Sequence, residues 1–406
     1  MKGAKESKLQ KARDAAEKKA LFGEDLDLGR FIHKAPSRSN MKDLSSLSQL
    51  DKKELLTAGV DPEARERSGS FMQIDHSVVH HDIFQDGLEI MSTSEAREKY
   101  DWLEDYYWHA VAVDTDKYTA RAELHQEHGY FIRALPGVKT AFPLQACLFT
   151  AQDRLAQEVH NIVIAEEGSE LHIISGCASS HNVKAGLHIG VSEFYVKKGA
   201  RLSFTMIHNW AEEFAVRPRS ATIVEEDGVF LSNYVCMKPV KTLQMYPTTY
   251  LSGANAVARY NTILVAVPGS FMDVGSRVYL KAHGTKAEMI ARTITTGGDV
   301  INRGHIVGEV ADSKGHLECH GLILSEKGLI YAVPELEGRV SGVDLSHEAA
   351  VGKIAQEEIE YMMSRGMSES DATAAIVRGF LNVDIMGLPS ELKEEIDKTV
   401  NMQGMF

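Results

Sequence analysis

The feature that most limits how this chain can fold is a loose repeat of strands and turns. From about residue 140 to 345, β-branched stretches alternate with turns whose glycines stand at 168, 199, 228, 253 and 284, spaced 31, 29, 25 and 31 residues apart. The stretches include His160–Ala165, Glu170–Ser175, Leu187–Val196, Arg201–Ile207, Ser220–Glu225, Tyr260–Val267, Arg277–Ala282 and Glu288–Thr295. A glycine supplies the positive φ that a tight turn needs. A repeat of this length made only of strands and turns predicts stacked β-coils. A β-helix fits best, because each coil hides its strand edges against the next. A two-sheet sandwich is the alternative that the spacing leaves open. Length argues the same way. The chain has 406 residues, whereas single hydrophobic cores stop growing at roughly 250–300. A solenoid escapes that limit, since each layer contacts only its neighbours.

The flanks read differently. Leu9, Ala12, Ala16 and Ala20 recur at helical spacing in the first 22 residues, which predicts a docking helix or a solvated arm. Residues 23–70 are polar and irregular apart from a short helical stretch near Asp51–Leu56, and residues 92–109, with Trp102, Tyr106 and Tyr107, look helical. From about 346 the pattern turns helical again: Lys353–Ser364 carries Ile354, Ile359, Met362 and Met363. Gly366 then acts as a C-cap, and Ser368 to Asp371 opens a helix running to Leu381. Pro389 opens a third helix ending near Val400. The expected divisions are a helical or mixed region at 1–139, a β-helix core at 140–345 and a helical tail at 346–406.

Charge and composition exclude some functions. A net charge of −13 makes nonspecific nucleic-acid binding a poor fit. No apolar run approaches the ~20 residues that span a bilayer, and the charged start (Lys2, Lys5, Glu6, Lys8) lacks a signal-peptide core. A cytoplasmic protein is expected. Cys147, Cys177, Cys236 and Cys319 form no C-x-x-C pair, and each by default is a small buried hydrophobe. His76, His80 and His81 stand at helical spacing, as metal ligands or as polar surface. In His316-Leu317-Glu318-Cys319-His320, a strand would put His316, Glu318 and His320 on one face and Cys319 on the other with Leu317 and Gly321. No G-x-x-x-x-G-K-[ST] occurs, and His283-Gly284-Thr285-Lys286 is only a turn, so no nucleotide is expected on this chain.

Three stretches carry a resemblance. The first runs from Leu345 to Leu381: L-S-H-E-A-A-V-G-K-I, then E-E-I-E-Y-M-M-S-R-G-M-S-E-S-D-A, then I-V-R-G-F-L. The second joins His160-Asn161-Ile162 to Ile174-Ser175-Gly176-Cys177-Ala178, and the third is His208-Asn209-Trp210. Together they resemble the SufB/SufD family of iron–sulfur cluster assembly proteins from about residue 150 to the end. The resemblance implies a mainly β fold, a right-handed parallel β-helix flanked by N- and C-terminal helical domains. It implies a non-catalytic scaffold that carries a nascent iron–sulfur cluster. The partner it implies is a SufC-like ABC ATPase, docked on the C-terminal helices where Tyr361, Met362, Arg365 and Phe380 lie. The second chain of the dimer is another copy or a SufD-like chain.

The family's assembly cysteine falls on Cys319, and its His-Glu pair on His347 and Glu348. His347 matches a SufD-like histidine and Glu348 a SufB-like glutamate, so one chain could serve as both partners of a homodimer. The histidine is otherwise a residue near the N-terminus of the tail's first helix. One feature departs from the family. Bacterial SufB chains carry a sulfur-accepting cysteine where Ile223 and Val224 stand here, and Cys236, one strand later, does not inherit that role. Two other readings remain, a structural SufD-like partner without a cluster and a β-helix carbohydrate-active enzyme. The latter needs paired carboxylates on one exposed face, and none is evident.

Overall fold

Strands two apart in sequence lie side by side and run parallel, which resolves the choice between coil and sandwich. The computed structural model describes residues 2–125 and 128–381. It shows a β-solenoid of about eight turns with helices at both ends, 45% strand and 18% helix. The chain opens with α1 (Lys2–Asp14) and α2 (Gln49–Thr57), then the hairpin β1 (Gly69–Ile74) and β2 (Ser77–Ile83). Next come β3 (Leu88–Ser92), α3 (Thr93–Lys99), α4 (Lys117–His125) and β4 (Tyr130–Ala134), with β3 and β4 antiparallel.

The coils then alternate between two sheets. The first sheet takes β5 (Leu144–Thr150), β7 (Glu170–Ser179), β9 (Arg201–Asn209), β12 (Val229–Cys236), β15 (Val257–Ala266), β17 (Lys286–Thr295), β19 (Lys314–Ile323) and β21 (Asp344–Gly352). The second takes β6 (Ala156–Ala165), β8 (Ala185–Val196), the split pairs β10 (Glu213–Val216) with β11 (Arg219–Val224) and β13 (Thr242–Met245) with β14 (Thr248–Leu251), then β16 (Phe271–Leu280), β18 (Asp299–Gly308) and β20 (Leu329–Gly338). Pro218 and Pro247 sit at the two splits, where a residue without an N–H interrupts the ladder. Two helices close the described chain, α5 (Gln356–Ser364) and α6 (Glu369–Leu381). The expected helix over Pro389–Val400 lies outside the described residues.

Strand formation follows the side-chain alternation. Along β18, inward Val300 and Ile306 are fully buried while outward Ile301 and Arg303 are half-buried. One continuous core fills the solenoid from Phe71 to Cys319. Three satellite cores lie outside it. The segment around Tyr107, Trp108 and Tyr118 packs on the outer face of the second sheet, and the α2 region packs on the start of the first. Helix α6 lays Ala374, Val377 and Leu381 on Ile207, Val235, Ile263 and Ile294, further along the first sheet. Among the described residues no helix is long and apolar enough to cross a membrane.

The turns match the glycine reading only in part. Gly168, Gly199 and Gly284 have φ of +67°, +65° and +72°. At the two intervening coils Asp227 and Asn255 take that role, with φ of +54° and +58°. Gly253 is needed for a different reason: a Cβ there would stand 1.9 Å from the backbone N of Glu226 in the preceding coil. The turns also stack, since Gly199 N donates to Glu226 O and Asp227 N to Ala254 O, each at 2.8 Å.

Three expectations need correction. Strand structure begins at Gly69 rather than near 140, because β1 pairs with β5 in parallel and belongs to the first sheet. It also continues to Gly352, so His347 and Glu348 lie on a strand and not near a helix N-terminus. His76, His80 and His81 belong to the β1–β2 hairpin and not to a helix; His80 is buried and His81 exposed, where β2 passes from the covered to the open part of the strand.

One buried carboxylate gathers several of the bonds that fasten the N-terminal region to the solenoid. Glu193 on β8 is fully buried and accepts from Trp108 N (2.7 Å), Ala110 N (2.6 Å), Val111 N (3.0 Å) and His160 Nε2 (2.8 Å). Losing one side of a buried charged network costs about 3–5 kcal/mol. Glu193→Ala is therefore expected to lower the melting temperature and to open the 100–116 segment to limited proteolysis. Wild-type resistance in the variant would show that the aromatic packing holds this segment without the carboxylate.

Candidate functional site

The last two coils present two faces with different chemistry. On β19, Cys319 points into the core beside Leu317 and is 1% exposed. Its neighbours in register are Ala291 on β17 and Ala349 on β21. Burial pushes its thiol up to about 11, so at neutral pH it is protonated and weakly nucleophilic. Among the described residues no cation offsets this shift.

His347 is the register partner of Leu317 on the terminal strand, which gives it the same facing as Cys319, one strand over and two residues along. At parallel-sheet spacings that is a backbone separation of about 8 Å. No further strand among the described residues covers β21, so His347 is exposed. Glu348 pairs with Glu318 instead and belongs to the outward face. Within one chain the fold therefore brings Cys319 and His347 to one side of the sheet and sets Glu348 on the other.

The outward face of β19 matches the alternation read from sequence. His316 Nε2 lies 3.0 Å from Glu318 Oε1 and His320 Nε2 lies 3.2 Å from Glu318 Oε2. The Ser346 hydroxyl on β21 engages His316 Nδ1 at 2.7 Å. Burial works against the charge on Glu318, yet the hydrogen bonds with His320 and His316 outweigh it and hold the carboxyl below its usual range.

The other cysteines divide by facing. Cys147 points outward against the α2 region, whereas Cys177 and Cys236 point into the core. Both inward thiols flank His208 in register, and Tyr234 Oη lies 2.8 Å from His208 Nδ1. Burial raises Cys177 and Cys236 to about 12 each and holds His208 well below its ordinary value. This buried polar group was missed at the sequence level. Its only signals were a histidine and two cysteines on inward positions of separate strands, and their adjacency depends on register.

The tail residues also divide. Phe380 is half-buried against the α6 core, while Tyr361 and Arg365 are exposed on α5, with Arg365 Nη2 donating to Tyr361 Oη at 2.9 Å. Met362 is half-buried. Gly366, with φ of +95°, ends α5, and Ser368 Oγ accepts from Asp371 N at 3.1 Å to start α6, as the sequence predicts.

Comparison with known proteins converges on one family. The family described as "SUF system FeS cluster assembly, SufBD core domain" matches residues 148–380. Proteins named "Iron-sulfur cluster assembly SufBD family protein" are similar over most of their length. One from Methanothermobacter thermautotrophicus is 50% identical over 400 residues, 97% of this chain and 98% of that one. One from Archaeoglobus fulgidus is 52% identical over 353 residues, covering 87% and 95%. A Pyrococcus horikoshii relative is 31% identical over 341 residues, covering 82% and 76%.

All four cysteines are buried and free. The folded protein is therefore expected to react with an aromatic disulfide reagent at pH 8 only as fast as it opens, releasing close to four equivalents once denatured. Rapid native labelling that maps to Cys319 would contradict the buried, protonated thiol described above.

Proposed function

Because the chain belongs to the SufBD family of iron–sulfur cluster assembly proteins, we propose that it is a scaffold on which a nascent cluster is built. The observation that carries this reading is the placement of Cys319 and His347 on one face of the terminal strands, with Glu348 next to His347 in sequence but on the opposite face. A thiolate is the natural ligand for iron in a sulfide cluster, and imidazole also ligates iron well. A carboxylate is a harder, weaker partner for such iron, which suits a cluster that must be handed on. Iron binding must displace the thiol proton, and the burial of Cys319 means that the terminal coils have to open first. An ABC-type ATPase docked on α5 and α6 would drive that opening, and the exposed Tyr361 and Arg365 give it a surface.

The terminal strands also support a homodimer. Both β20 and β21 present an unpaired edge among the described residues, and Leu329, Tyr331, Leu336 and Val351 on them are exposed apolar side chains. Exposed edges and apolar patches of this kind mark association surfaces. A second copy meeting them would bring Cys319 of one chain near His347 and Glu348 of the other.

Anaerobic reconstitution with iron and sulfide tests the scaffold reading. The wild type is expected to develop the visible sulfide-to-iron charge-transfer band, Cys319→Ala to lose it, and His347→Ala and Glu348→Ala to weaken it. No band in the wild type, or one indifferent to Cys319→Ala, would favour a structural, SufD-like role. For the dimer, Tyr331→Glu combined with Val351→Glu is expected to halve the mass measured by light scattering. An unchanged mass would move the interface elsewhere.

A further inference from the structure

The outward face of β19 carries a second constellation that the cluster chemistry above does not use. His316, Glu318 and His320 alternate along one strand, and both imidazoles aim Nε2 at the same carboxylate, at 3.0 and 3.2 Å. Two ligands held about 2.1 Å from one metal ion lie roughly 3.0–3.4 Å apart. Each ring nitrogen thus stands at ligand-to-ligand spacing from one carboxylate oxygen, with a proton in the gap. Ser346 takes His316 Nδ1 at 2.7 Å. A second group bonded to the far ring nitrogen commonly orients a metal-binding histidine in this way. The side chains are 24–35% exposed, so an ion can reach them. Glu348 stands next to Glu318 in register and Glu288 next to His316, although Glu288 is held by Arg259 at 2.8 Å. Arg292, beside His320, is the one cation in register with the three.

We propose that His316, Glu318 and His320 form a binding site for a first-row divalent cation on the outer face of the solenoid, opposite the thiol of Cys319. Two imidazoles and one carboxylate form a ligand set that suits ferrous iron or zinc. Among the described residues no group of three His, Cys, Asp or Glu side chains is placed, as it stands, to hold a metal ion. Binding therefore requires Glu318 to turn one oxygen between the two rings, with loss of the shared protons. That the cellular occupant is ferrous iron held next to the assembly site rests on the scaffold reading; that the site binds a divalent cation does not.

The test is anaerobic titration of the full chain with Co²⁺ and no sulfide, followed by visible ligand-field bands and by calorimetry. Wild type is expected to bind one Co²⁺ per chain at this site. His316→Ala and His320→Ala are each expected to lower the affinity by about 10–100-fold, and Ser346→Ala by about tenfold. Cys319→Ala should bind as wild type does, with no thiolate-to-cobalt charge transfer in either protein. Circular dichroism checks that each variant is folded. Undiminished affinity in the double variant His316→Ala/His320→Ala would overturn the proposal, as would loss of binding in Cys319→Ala. Because sulfide is absent, the result stands apart from reconstitution: a chain that binds cobalt here but builds no cluster retains this site and loses the scaffold reading.

Discussion

Every strand of the solenoid must be hydrogen-bonded by a strand on each side, and the structure depends on where that ladder is allowed to stop. At the N-terminal end it is closed by antiparallel strands: β2 completes β1 and β3 completes β4. A chain segment then covers β2, with Met41 N donating to Val79 O. At the other end β20 and β21 end the two sheets among the described residues. Inward residues that would be core in any earlier coil, such as His347 and Val351, are therefore exposed there. The asymmetry between a closed and an open end is what gives one place in a long, uniform body a surface chemistry of its own.

At that place a single strand separates two environments by alternation alone. Cys319 faces a dry interior that favours the neutral thiol, while its neighbours Glu318 and His320 face outward, where hydrogen bonds favour the carboxylate charge. A few ångströms of backbone thus hold a protonated sulfur and an ionised oxygen on opposite sides of one sheet. The same rule places Cys177, His208 and Cys236 in one interior column on successive strands. These groups pack among apolar side chains that keep them uncharged.

Much of the architecture was legible because it is written locally. Strand alternation exposed the facing of His316, Glu318, Cys319 and His320, since a two-residue period needs no knowledge of neighbours. The end of α5 at Gly366 and the start of α6 at Ser368 were likewise legible, because caps act within one turn. The N-terminal strands were not. Gly69–Ile74 is buried at every position and so lacks the alternation that marks a half-exposed strand, and its partner β5 lies about seventy residues away. The hairpin histidines misled for a related reason: spacings of four and five residues suit a helix as well as a hairpin turn followed by a strand.

What the sequence determined by itself was the repeat, the two faces of each strand and the helical stops, all set by interactions within a few residues. Only the tertiary structure decided which face His347 and Glu348 take relative to Cys319. That choice turns on register across one coil, a step of 30 residues from His316 to Ser346, where one residue more or fewer would exchange the two faces. It also decided that, among the described residues, this coil is the last and its inner face is open, because whether an edge is covered depends on whether a further strand pairs with it.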